Sequence, residues 1–141
     1  MILRKDNLNI EHSTSNIQLR IKTRRVYDLE ERLLIYSANI IKLVEKLPDT
    51  RSGNHIAGQL LRSGTSPYPN HGEAQAAESQ NDFIHKLKVS LKELRESKRW
   101  ILLIIYLEMI IDVEKVQILL TETEELIKIF VSSIRTAEKN R

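Results

Sequence analysis

A chain of 141 residues and 16.4 kDa, 41% hydrophobic and 29% charged, is sized for one domain, too apolar for disorder and too charged for a membrane bundle. Having no Cys excludes a disulfide framework and thiolate metal sites; the longest apolar run, Trp100–Leu107, cannot span a bilayer, and the N-terminus has no apolar signal core, so a cytoplasmic protein with no membrane partner is expected. The net charge of +3 is unevenly spread: residues 1–25 carry +4 and 79–106 carry +3, while 26–78 and 107–141 each carry −2.

Residues 1–24 are aperiodic, with Asn7, Asn9, Ser13 and Asn16 interrupting any apolar face, which predicts a flexible N-terminal arm ahead of a bundle domain over 25–141. Leu29, Leu33, Tyr36, Ile40, Leu43 and Leu47 then recur at steps of 4, 3, 4, 3 and 4, the spacing of one helix face. Asp28, Glu30 and Glu31 suit its first turn and Pro48 its end. A second helix is expected from Ser52 or Asn54 as N-cap, anchored by Ile56, Leu60 and Leu61. Pro67 and Pro69 predict a kink, with helix resuming near Gly72 to Glu78.

The third helix, over 79–107, is the longest. Phe83, Leu87, Ser90, Leu94, Ser97, Ile101 and Ile104 form its inner face, and its end from Trp100 is apolar nearly all round, which predicts cover on several sides. The fourth begins after Asp112 as N-cap and buries Val113, Val116, Leu120, Thr123, Ile127, Phe130, Ile134 and Ala137. No alternating strand pattern competes. The predicted fold class is all-α: an antiparallel up-and-down four-helix bundle with a kinked second helix.

The His residues, at 12, 55, 71 and 85, form no metal-binding spacing, no Gly-rich phosphate loop occurs, and no Ser has a marked His and acid partner. No metal, no cofactor and no catalytic activity are expected. The sharper feature is a basic stripe: His85, Lys88, Lys92, Arg95 and Arg99 step 3, 4, 3 and 4 along the third helix, roughly 100–120° from its apolar face. Cations so spaced can track phosphates without reading bases. The competing reading is a solvated face, with Glu96 neutralising Lys92 and Arg99 and acids on other helices taking the rest. Arg20, Lys22, Arg24 and Arg25 of the arm would add to a polyanion surface.

Three helices carry more apolar surface than one inward face needs. Leu34, Ile41, Leu102, Ile105, Leu119 and Leu126 are the surplus, and unburied patches of this kind mark interfaces, so a homo-oligomer is expected over a monomer.

Ser63-Gly64-Thr65-Ser66, Asn70, Glu73-Ala74-Gln75, Glu78-Ser79, Asp82-Phe83-Ile84-His85-Lys86-Leu87 and Leu91-Lys92-Glu93-Leu94-Arg95-Glu96-Ser97 leading to Trp100 resemble a bacterial family of four-helix bundles. That family is named for proteins encoded by intervening sequences in 23S rRNA genes. The resemblance covers about residues 25–138. It implies a ring-like homopentamer and kinship with the accessory variability determinant of diversity-generating retroelements, a basic barrel that binds a reverse transcriptase and nucleic acid. It implies no catalysis. Asn70 and Glu73 match the polar positions of its second-helix motif, to be read first as kink and interface hydrogen-bonding residues and second as ligand-binding ones. Pro67-Tyr68-Pro69 and His71 depart from its usual pattern. The functional expectation is a non-enzymatic oligomeric scaffold whose basic surface, including Arg24, Arg25, Lys88, Lys92, Arg95 and Arg99, engages RNA, DNA or a nucleic-acid enzyme such as a reverse transcriptase. The alternative is a protein-interaction or structural module with no nucleic-acid role.

Overall fold

The structure, a computed structural model, describes residues 28–141. The arm expected over 1–24 lies outside them, and Arg20, Lys22, Arg24 and Arg25 with it. The described residues are helical, without strands: α1 (Leu29–Val44), α2 (Arg51–Thr65), α3 (Pro67–Gln75), α4 (Gln80–Tyr106) and α5 (Val113–Lys139). Residues Leu33–Arg141 form one compact unit. Within it α2 and α3 are the two halves of one bent helix, so the architecture is a four-helix bundle.

Local chemistry sets the helix ends. Thr50 caps α2, its hydroxyl accepting from Gly53 N at 3.0 Å, rather than the expected Ser52 or Asn54; Asn54 instead donates its side chain to Asp49 at 3.0 Å. Ser79 caps α4 through Asp82 N at 3.0 Å, and Asp112 caps α5 through Lys115 N at 3.3 Å, the latter as predicted. The kink is tighter than the sequence suggests. Helix resumes at once at Pro67 instead of near Gly72, because both prolines fall in the first turn of α3, where backbone N–H groups have no helical partner to lose.

The helices are ordered around the bundle as α1, α2, α4, α5. Tyr36 on α1 meets Thr123 on α5; Ile40 on α1 meets Gly64 on α2; Ser63 on α2 meets Ser97 on α4; and Lys98 on α4 pairs with Glu124 on α5 at 3.3 Å. Consequently α1 and α4 are diagonal neighbours. The α3 half packs chiefly on α4 and sets His71 edge-on to Phe130 of α5, ring centroids 6.4 Å apart.

The core follows the predicted stripes, with Leu33, Ile40, Leu60, Leu94, Ile101, Ile104 and Phe130 fully buried, except at the start of α5, where Val113 is half exposed rather than buried. Four hydroxyls from four helices meet inside it. Tyr36 Oη and Thr123 Oγ1 are 2.8 Å apart, Thr123 donates to the Leu119 carbonyl at 2.7 Å, Ser97 donates to Ser63 Oγ at 2.9 Å, and Ser97 is close enough to Tyr36 to favour its ionised form. A buried hydroxyl costs more unpaired than paired, so this layer favours the one helix register that pairs all of them.

Two of the residues counted as surplus are not surplus. Leu119 and Leu126 are 6% and 0% exposed, because α5 packs against both α1 and α4 and needs a wide inner face. The close α1–α2 approach has its own requirement. A Cβ on Gly64 would sit 2.7 Å from two carbons of the Ile40 side chain. Gly64→Ala is therefore expected to lower stability by about 1–3 kcal/mol, read by urea denaturation, since overpacking must push the two helices apart.

Candidate nucleic-acid interface

The face of α4 turned away from the core carries His85, Lys88, Lys92, Arg95 and Arg99, all of them exposed. At about 100° per residue they fall on one strip, flanked on one side by the α2–α3 contact and on the other by α5. Lys88 reaches Glu138 of α5 at 3.3 Å, an exposed pair worth little. Lys92, Arg95 and Arg99 have no ion pair among the described residues.

Of the acids expected to neutralise the strip, Glu138 of α5 reaches Lys88, but Glu96, the expected partner of Lys92 and Arg99, is turned elsewhere together with Glu93. Glu93 accepts from Arg62 of α2 at 2.9 Å, and Glu96 is taken by the other guanidinium nitrogen of the same arginine. Glu96 also accepts from Trp100 Nε1 at 3.1 Å, and Trp100 in turn meets the His55 ring edge-on at 6.0 Å. These contacts bind α2 to α4 and draw the negative charge of the segment onto that flank. The cations keep the outward face.

Asn70 and Glu73 lie away from this strip. Asn70 donates to the Ser66 carbonyl at 3.0 Å and to the Ser66 hydroxyl at 2.9 Å, which holds the α2–α3 bend. Glu73 is exposed and pairs with Lys86 of α4 at 3.6 Å, tying the second half of the bent helix to its neighbour. Among the described residues no three His, Asp or Glu come together in a metal-ligand arrangement, and no helix is long and apolar enough to cross a membrane.

A second surface lies across the bundle. The outward side of α1 exposes Leu34, Ile35 and Ile41 at 50%, 48% and 45%. Between α1 and α5 runs an open groove of about 850 Å³, with Ile35, Leu43, Val116, Ile118 and Leu119 in its walls and Lys42, Lys46, Glu122 and Glu125 among its polar residues. Leu34 and Ile41 were legible as surplus; Ile35 and Ile118 were not, because they sit off the main stripes. The end of α4 also departs from expectation. Leu102, Leu103, Tyr106 and Leu107 are exposed rather than covered, since no element of the described chain extends over them.

Residues 28–132 match the family described as 23S rRNA-intervening sequence protein. Among solved structures the chain is similar to a protein of unknown function from the S23 ribosomal protein family of Bacteroides thetaiotaomicron. The TM-score is 0.69 and the identity 33%, covering 74% of this chain and 96% of that one. No curated protein matches.

Proposed function

The chain belongs to the 23S rRNA-intervening sequence protein family, and from that premise we propose that it is a non-enzymatic, self-associating scaffold that binds nucleic acid through the outer face of α4. One observation carries this reading. Lys92, Arg95 and Arg99 are exposed and unpaired among the described residues, on the helix diagonal to the apolar side of α1. Copies joined through α1 and its groove turn their α4 faces outward. The cations of several protomers then add up on one assembly, and a polyanion meets a multivalent surface. The resemblance described above makes a ring of five the expected assembly. Phosphate contacts from Lys and Arg supply affinity without base selection, so the binding is broad in sequence and steep in salt.

The test is a binding titration of a labelled RNA at about 50 and 200 mM salt. The wild type should bind at the lower salt and weaken sharply at the higher. The triple variant K92E/R95E/R99E should lose about 100-fold at low salt and show a shallower salt slope, since each lost phosphate contact reduces that slope by about 0.9 for a duplex. Light scattering on the same samples should report a particle several times the 16.4 kDa protomer for both proteins. No binding at low salt, or binding indifferent to the triple reversal, removes the nucleic-acid reading. It would leave the interaction module, for which the α1–α5 groove is the docking surface.

A further inference from the structure

We propose that the nucleic acid held by this face is single-stranded and that Tyr106 stacks on one of its bases; the proposal rests on the reading of the cationic strip just given. The strip does not stop at Arg99. Continuing at the same steps of three and four, it runs into Leu102 and Leu103 and then Tyr106, so one helical line is cationic along most of its length and apolar and aromatic at its end. From Lys88 to Tyr106 it spans ~27 Å at 1.5 Å per residue. Tyr106 is 85% exposed, in a core-forming segment whose Ile101 and Ile104 are fully buried.

The order of the two chemistries matters. The last turn of α4 holds no basic residue, and its terminal carbonyls give that end a partial negative charge. Glu108, turned into the left-handed region at φ 53°, follows directly and is exposed. A phosphate is therefore disfavoured there, whereas the neutral face of a base is not. A phenol ring flanked by leucines offers a stacking partner where the phosphate contacts end. Arginines ahead of it supply both charge and guanidinium planes, the combination that binds unpaired strands.

A duplex fits the same line poorly. Its bases are stacked inside and out of reach of an exposed tyrosine. Its major groove, about 12 Å wide, admits one projecting helix, while α4 is held between α2 through Arg62 and α5 through Lys98 and Lys88. A single strand can lie along a straight row of cations and splay out a terminal base.

The test is fluorescence anisotropy at low salt with the full chain and four labelled ligands: an adenine-bearing DNA strand, the matching RNA strand, an abasic DNA strand of equal charge, and a duplex, all long enough to cover the ~27 Å line. The base-bearing strands should bind at least about fivefold tighter than the abasic one, the margin of a single stacked base. Y106A should remove that margin and leave abasic binding unchanged, while Y106F keeps it. The tighter of the DNA and RNA arms identifies the biological source of the strand. Equal binding of base-bearing and abasic strands, an unaffected Y106A, or a preference for the duplex would overturn the stacking proposal while K92E/R95E/R99E still weakens binding about 100-fold. If the triple reversal changes nothing for any ligand, the cationic reading itself fails, and the two failures are told apart.

Discussion

Leu126→Ala is expected to lower the unfolding free energy by about 2–5 kcal/mol, the range for emptying a closely packed leucine site. The side chain is fully buried on the face of α5 that meets the rest of the core, level with the Tyr36–Thr123 contact. Its truncation leaves a cavity that long, packed helices cannot collapse to fill. Ile41→Ser makes the informative contrast. Ile41 is 45% exposed on the outward side of α1, so its loss should change protomer stability by less than about 1 kcal/mol while reducing the particle mass seen by light scattering. Denaturation over a range of protein concentrations separates the two, since a loss that comes through disassembly varies with concentration and a loss of core packing does not. A small effect at Leu126 would mean that α5 does not pack as described. An unchanged mass for Ile41→Ser would take α1 out of the assembly surface.

The same pair of residues marks how far the sequence could be read. Both belong to secondary apolar stripes, and a helical wheel gives them equal standing. Their fates differ because α5 contacts neighbours on two sides of its stripe, whereas the outward flank of α1 has none within the protomer. That is a property of the arrangement and not of either helix. The helices themselves were legible because the 4-3 rhythm runs unbroken through Tyr36, Ser90, Ser97 and Thr123, hydroxyl-bearing residues on apolar faces. That Tyr36, Ser97 and Thr123 meet Ser63 in one buried polar layer was not legible, because their pairing needs the register of four helices at once. The cap at Thr50 was missed because Ser52 and Asn54 are equally good capping types, and local geometry after Pro48 decided among them. The α4 strip was correctly placed outward by periodicity. The position of its acids was not, since Glu96 lies within helical reach of Lys92 and Arg99 and only the presence of Arg62 on the adjoining helix draws it away. The diagonal relation of α1 to α4, on which the proposed function rests, is invisible to any single-helix pattern.

Raising the pH should destabilise the wild-type bundle relative to its Tyr36→Phe variant, and the order of their stabilities should invert. Burial pushes the Tyr36 phenol up to about 12; its polar contacts with Thr123 and Ser97 act in the opposite direction without overcoming it, and the Glu122 charge adds to the rise. Because the folded value lies above the ordinary one near 10, the fold holds the neutral phenol while the unfolded chain ionises. The stabilisation is thus fully present below about pH 10 and falls at about 1.4 kcal/mol per pH unit until the folded phenol ionises near pH 12, a loss on the order of 2–3 kcal/mol. The variant has no such group. At pH 7 it should be the less stable protein by about 1 kcal/mol, having lost the bond to Thr123, whose hydroxyl still has the Leu119 carbonyl. Every other ionisable group is common to the two proteins and cancels in the difference. Urea denaturation of the pair between pH 7 and 12 should therefore give curves that cross near pH 11. Parallel curves would show that the Tyr36 phenol is open to water and that the hydroxyl layer does not close around it.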